Sequence, residues 1–295
     1  IGSDVYTAVL LHIERVFPPG TQGSSTTGPA IDILSEMLVV LNPQWQAVWY
    51  YDSFQQLNIN RPAVLGETCA DQSSQCTLDI LLAPVANDWT HGNTIYYMAD
   101  GGDFMVSLRN QDWLIKVNYD NGAGAGNILW RMGNQGNFTF DNVNNDPWPW
   151  FSHQHDAGFA NNGSGPLVLF DNGNTRISAP PLGLGKKCGP NDCDSRGMSM
   201  TVSYSNRTVT PLLSQSLGAF AYAQGASQLL SDGNYFFSLG DSSTQGVEIW
   251  PTAGTVSGTQ VLNLANPGTS YRCWQMPSLY NPPAWEPAVA SITSH

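Results

Sequence analysis

Short apolar runs separated by turns set the pattern of this chain. "FMVSL" (104–108), "LVLF" (167–170) and "YFFSL" (235–239) are each preceded by residues rich in Gly, Asp and Asn. Helical spacing is not sustained anywhere. Runs this short, apolar on consecutive positions and bounded by turn residues, predict strands buried on both faces. Two longer stretches share one layout: "ADGGDFMVSLRNQDWLIKV" (99–117) and "LSDGNYFFSLGDSSTQGVEIW" (230–250). Each has an Asp-Gly turn, a strand ending in Ser-Leu, a polar bend and a second strand. "GSGPLVLFDNGNTR" (163–176) is a fainter third version. Asp100 and Asp232 lie 132 positions apart, which fits three repeats of about 44 residues, the length of a four-stranded propeller blade. The expectation is an all-β fold, a β-propeller, in a single domain over 1–295; a β-sandwich or β-helix is the alternative. "VYTAVLLHIERVF" (5–17) reads as a buried strand, so residues upstream of Ile1 are expected to be missing.

Composition narrows the function. Charged residues are only 12% of 295, and 29 are glycine, which suits many strands and turns. Against 23 acidic residues there are 11 basic ones, a net charge of −12, so nucleic acid is excluded as a partner. No apolar run approaches the roughly 18 to 20 residues of a membrane span. Three sequons, at Asn137, Asn162 and Asn206, and the scarcity of lysine are compatible with secretion. Cys69 and Cys76 flank one turn-rich loop, and Cys188 and Cys193 another. Two local disulfides are expected, in an oxidising compartment, with Cys273 left as a free thiol. Zinc would demand tighter clustering than these spacings give.

The candidate chemistry centres on "PWFSHQHDAGF" (149–159), where two of the five histidines stand two apart. On a strand, residues two apart share a face, so His153 and His155 are expected to project together, with Gln154 and Asp156 opposite. Three readings stay open for such a pair: a nucleophile with a helper, metal ligands completed by His91 or Asp156, or packing among Trp148, Trp150 and Phe151.

Five segments, "NDWTHGNTIYY" (87–97), "MVSLRNQDWLIKV" (105–117), "ILWRMGNQGNF" (128–138), "FSHQHDAGF" (151–159) and "LVLFDNGNTR" (167–176), resemble in order and spacing the bacterial arylsulfate sulfotransferases, which use no nucleotide sulfate donor. The likeness spans about Ile31 to Asn234. It implies a six-bladed propeller, a secreted or periplasmic location, and transfer of a sulfuryl group from an aryl sulfate to a phenol through a sulfated histidine. It implies no cofactor and no metal, and it admits a homodimer. Residue by residue, His155 matches the nucleophile, His91 a second histidine at the sulfuryl group, Asn93 its neighbouring asparagine, and Arg109 the arginine that holds the sulfate oxygens. Asp171-Asn172-Gly173 with Arg176 match a shared motif, and Ser195-Arg196 the next. Arg176 and His153 are carried as substrate-binding candidates, the rest of that motif as structural. Two departures stand out: a family histidine is expected just upstream of the strand at Val5–Leu11, before this chain begins, and Gln224, carried with Asn93 as a further substrate-binding candidate, stands where the family can place a threonine.

The chemistry agrees with these residue types. A sulfate monoester is an anion whose sulfur resists anionic attack, so a neutral imidazole suits as nucleophile. A guanidinium fork and an amide can hold the oxygens, and a second imidazole can protonate the departing phenolate. Trp89, Trp113 and Trp148 are candidates to stack on an aromatic substrate. "GAGAGN" (122–127) lacks the Lys-Ser/Thr of a phosphate loop and reads as a turn. The competing function classes are a non-catalytic propeller that binds a carbohydrate or a protein, and a metalloenzyme using His153, His155 and His91.

Overall fold

The structure is a computed structural model that describes residues 5–70, 81–141, 145–146, 148–176, 193–240, 244–265 and 270–276. Among these the regular structure is β, apart from one short helix, α1 (Ser53–Gln56), and a few 3-10 turns. The chain forms two compact units. One comprises residues 1–139, 145–154 and 173–188; the other comprises 140–144, 155–172 and 189–295.

The first unit contains two sheets. β1 (Thr7–Phe17), β2 (Ile31–Leu41), β3 (Ala47–Asp52), β4 (Thr68–Ala70) and β5 (Val85–Asp88) make the first, in order β1-β2-β5-β4 with β3 also on β2. β6 (Gly92–Met98), β7 (Asp103–Leu108), β8 (Trp113–Val117) and β9 (Ile128–Gly133) make the second, a simple antiparallel meander. Residues of three strands meet in one core: Ile33, Leu38 and Val40 of β2, and alternate residues Phe104, Val106 and Leu108 of β7 and Trp113, Ile115 and Val117 of β8. Every position of β7 is buried, the two-sided burial that "FMVSL" predicts.

The second unit repeats the scheme. β10 (Thr139–Phe140), β11 (His155–Phe159), β12 (Leu167–Asp171), β13 (Arg196–Ser203) and β14 (Thr208–Ser216) form a sheet in order β10-β14-β13-β12-β11. β15 (Ala226–Leu229), β16 (Tyr235–Ser238), β17 (Thr244–Pro251) and β18 (Gly258–Ala265) form another antiparallel meander. Val168, Phe170 and Leu213 pack against Tyr235, Phe237, Val247 and Ile249, each buried side chain contributing about 1.5–3 kcal/mol. The faces approach so closely that a Cβ on Gly197 would lie 2.2 Å from the Phe237 ring.

The all-β class read from the sequence is the class observed. The three similar stretches occupy one structural place: the Asp100 turn joins β6 to β7, the turn at Asn161–Gly163 joins β11 to β12, and the Asp232 turn joins β15 to β16. The period needs correction. Among the described residues one sheet, not two, lies between those containing Asp100 and Asp232, so 132 residues are two steps rather than three of about 44. The long β13–β14 hairpin and the connections around β11 absorb the extra length. β1 also differs from expectation. It is an outer strand of its sheet, half-exposed along its length, with Leu11 and Val16 facing solvent. Nor are Trp89 and Trp113 stacking platforms. Trp89 is buried against Phe54 with its Nε1 donating to the Arg61 carbonyl, and Trp113 lies beneath the Arg61 guanidinium.

Candidate active site

In the first unit, two of the sequence motifs are stitched together backbone to backbone. After β7 the chain turns sharply at Arg109–Gln111, and that turn docks on residues 88–91. The Arg109 and Asn110 amides donate to the carbonyls of His91 (3.1 Å) and Thr90 (3.1 Å). The side chains of Asn110 and Gln111 donate to the carbonyls of Asp88 (2.7 Å) and Trp89 (2.7 Å). This is why "SLRNQ" and "NDWTH" occur together: the amides of one satisfy the carbonyls that the other leaves outside a sheet. His91 adopts a left-handed backbone (φ 48°) at the exit from β5, and its Nδ1 lies 2.6 Å from Asp88 Oδ2. Burial works to raise the Asp88 carboxyl, but His91, Arg109 and His12 outweigh it and hold Asp88 below the ordinary range. The ring is thereby fixed through Nδ1.

Arg109 is buried. Its Nη1 donates to Asn110 Oδ1 at 2.7 Å and lies 4.0 Å from Glu67 Oε1. Asn93 uses one amide hydrogen on the Gln154 carbonyl, at 2.7 Å. Arg176, also buried, folds back over Gly173, where φ of 81° and a guanidinium 3.3 Å from the place of a Cβ both call for glycine.

His153 lies in the same unit, and its setting overturns the shared-face expectation. It precedes β11, its φ is 53°, and no strand runs through it. The ring is fully buried between two carboxylates. Nδ1 is 2.8 Å from Asp112 Oδ1, Nε2 meets Glu67 Oε1, and Thr175 Oγ1 donates to the other Asp112 oxygen at 2.7 Å. Burial alone disfavours a charged ring, but the Asp112 charge and the bonds to Asp112 and Glu67 prevail over it and over Arg109. His153 is held above the ordinary histidine range. Glu67 is correspondingly held low, His153 and Arg109 overcoming the effect of burial. An imidazole donating through both nitrogens is a cation in an ion-pair network, with no lone pair to offer sulfur or metal. Among the described residues, no group of three or more His, Cys, Asp or Glu side chains is arranged to hold a metal ion.

In the second unit, His155 opens β11 opposite Phe170 of β12. A bulge follows immediately, with Asp156 at φ 53°. The bulge turns the strand so that His155 points toward the exit of β12. There its Nδ1 lies 2.7 Å from Asn172 Oδ1. Asn172 Nδ2 donates to the carbonyls of Ala221 (2.9 Å) and Gln224 (3.0 Å), and Ser195 Oγ donates to the Asn172 carbonyl (3.0 Å). The Gln224 amide donates to His155 Nε2 at 3.2 Å. The loop comes this close because Gln224 and Gly225 both have positive φ, 66° and 118°, and a Cβ on Gly225 would strike Phe170 at 2.6 Å. Behind the histidine, Arg196 Nε pairs with Asp171 Oδ2 at 2.8 Å across β12 and β13.

Each expected residue thus has a defined place. His91, Arg109, Asn93, His153 and Arg176 lie in the first unit; His155 and Gln224 are in contact in the second, through the Gln224 backbone rather than its side chain. The carboxylates Glu67, Asp88 and Asp112 and the amide of Asn172 were not singled out for chemistry in the sequence. Only Asp88, three residues before His91, carried a local signal. A search among curated proteins gives no match. The motifs that dock on one another in the first unit and the histidine–asparagine pair of the second all fall within residues 19–269, which match the family model described as Arylsulfotransferase (ASST), and the chain belongs to that family of arylsulfotransferase enzymes.

Proposed function

We propose that this enzyme moves a sulfuryl group from an aryl sulfate to a phenolic acceptor in two half-reactions through a sulfated His155. The observation that carries the reading is the hydrogen bonding of that ring. Nε2 accepts from a backbone amide, so the proton of the neutral ring sits on Nδ1 and the lone pair on Nε2. In the first half-reaction Nε2 bonds to sulfur, the bond from sulfur to the aryl oxygen breaks, and the phenolate takes a proton from His91. In the second, the acceptor phenol gives its proton to His91, its oxygen bonds to sulfur, and the N–S bond breaks. Arg109, with Asn93, stabilises the sulfuryl oxygens as charge redistributes, by analogy with loose phosphoryl transfer. Family membership supports aryl sulfates and phenols as the substrates.

Brief exposure to 4-nitrophenyl sulfate, followed by intact mass and peptide mapping, tests the intermediate: one added sulfuryl group on His155 is expected. A chain that releases nitrophenol without that adduct, or carries it elsewhere, overturns the scheme. Secretion is part of the same proposal, and the cysteines support it. Of the described cysteines, Cys273 is the one free thiol; Cys69 and Cys193 are buried, and their proposed partners, Cys76 and Cys188, lie outside the described residues. Peptide mapping without reduction tests both pairings.

A further inference from the structure

Building on His155 as nucleophile, we propose that Asn172 is a positioning residue: it fixes which ring nitrogen of His155 attacks and holds the 221–224 loop against that nitrogen. Four hydrogen bonds admit a single consistent assignment. Both hydrogens of Asn172 Nδ2 are directed at carbonyls, those of Ala221 and Gln224. Oδ1 is therefore the end facing the histidine, and it can only accept. Nδ1 of His155 must then carry the proton, which agrees with the Gln224 amide donating to Nε2. One planar amide thus determines both the tautomer and the peptide lying over the lone pair. The Gln224 amide yields Nε2 as sulfur approaches, while the Gln224 carbonyl, in the next peptide, remains tied to Asn172. Ser195 secures the arrangement from behind, its Oγ donating to the Asn172 carbonyl and accepting from the Ala221 amide at 2.9 Å.

A neutral amide has a specific advantage over the carboxylate that partners many histidines. A carboxylate at Nδ1 stabilises imidazolium, the form with no lone pair, whereas an amide orients the ring and leaves it neutral. The two carboxylates adjacent in sequence to His155 and Asn172 fit this. Asp156 is 3.1 Å from Arg272, and Asp171 is 2.8 Å from Arg196. Both carboxylates are engaged by guanidinium groups, so neither acts on the ring as an unbalanced charge.

The test combines tautomer spectroscopy with kinetics on the full chain. Long-range 15N–1H correlation on histidine-labelled protein is expected to show His155 as the Nδ1-H form in the wild type. Asn172→Ala is expected to give mixed tautomers, and a kcat lower by about 10- to 100-fold with donor KM within about twofold. Asn172→Asp is expected to keep the Nδ1 proton and to move the acidic limb of kcat/KM upward by about one pH unit, because imidazolium is then favoured. A purely structural asparagine would shift neither tautomer nor pH limb. A wild-type ring protonated on Nε2, or an Asn172→Ala protein with an unchanged tautomer and pH profile, overturns the proposal. The wild-type spectrum decides the tautomer even if a variant does not fold. If the tautomer follows Asn172 while no sulfuryl adduct forms on His155, the positioning role stands and the functional reading falls.

Discussion

His153 and His155 are two positions apart, and the protein has made opposite chemical objects of them. His153 is enclosed in the first unit, with Asp112 on one nitrogen and Glu67 on the other. It is a buried cation, used as a structural tie. His155 in the second unit has an amide oxygen on one nitrogen and an amide hydrogen on the other. Its Nε2 is an acceptor, offering a lone pair to the Gln224 amide. Partner chemistry, rather than burial, separates the two, because both rings are almost wholly buried. The lesson concerns histidine pairs in general: what each nitrogen faces decides between ion pair and nucleophile.

The largest expected effect breaks the comparison at its reactive end. His155→Asn should lower transfer from 4-nitrophenyl sulfate by about 10⁴-fold or more, since under the proposed scheme no other group replaces the covalent nucleophile. The melting temperature should change little. Near-normal turnover in this variant would transfer the nucleophile's role to another residue.

At the structural end, His153→Asn should cost stability, about 3–5 kcal/mol, because it leaves Glu67 and Asp112 buried without their cation. The pH dependence has a definite sign. His153 is raised above 6.5, so its contribution is complete below that value and is lost as pH rises through the raised one. Glu67 is lowered below 4.5, so its contribution is present above that value and is lost as pH falls through the lowered one. The pair therefore stabilises the fold across the range between them. Denaturant midpoints against pH should show a plateau in the wild type that His153→Asn flattens at both ends. Equal profiles would mean the ring is not charged in the folded protein.

The proposed oxygen-holding group, Arg109, comes next. Arg109→Ala should reduce kcat by about 10²–10³-fold, the usual loss for one fixed donor to a transition-state oxygen. Single-turnover sulfation, followed by mass, separates this from a failure of acceptor binding. Arg109→Lys should recover only part of the loss, since a point charge cannot reproduce a planar fork.

Much of the fold was legible because it is written locally. The Asp-Gly turns marked true hairpins, and "FMVSL" and "LVLF" announced strands covered on both faces. The repeat length was misread because insertions around β11 and β13 stretch the step between sheets, and no local residue records that. The His153 error has a physical origin too. Period-two reasoning holds only inside a strand, and residue 153 sits at positive φ before the strand begins. Nor could its partners be read, since Asp112 is 41 positions away and Glu67 is 86. Asn172 was visible within "DNGN", but its role depends on a loop that returns some 50 residues later to Ala221 and Gln224.

The smallest expected effect sharpens the same comparison with a third kind of buried group. Glu36 lies inside the first unit; Thr90 Oγ1 donates to it, and His12 Nε2 is 3.7 Å away. Burial raises its carboxyl above 4.5, and His12, Thr90 and the Gly92 amide only partly offset this. A carboxyl raised on folding lends stability that is present below 4.5 and is lost as pH rises through the folded value. Glu36→Gln keeps the shape and removes the ionisation. As pH rises above 4.5 the variant should gain on the wild type, by about 1 kcal/mol per pH unit until the raised value is passed, while the two proteins differ least in acid. Glu67, which has its histidine, should show the reverse: Glu67→Gln loses most at neutral pH and least in acid. Paired denaturation curves between acid and neutral pH would show the two substitutions diverging. Parallel curves would mean that His12 serves Glu36 as fully as His153 serves Glu67, and that a half-exposed histidine at the edge of a site can do the work of an enclosed one.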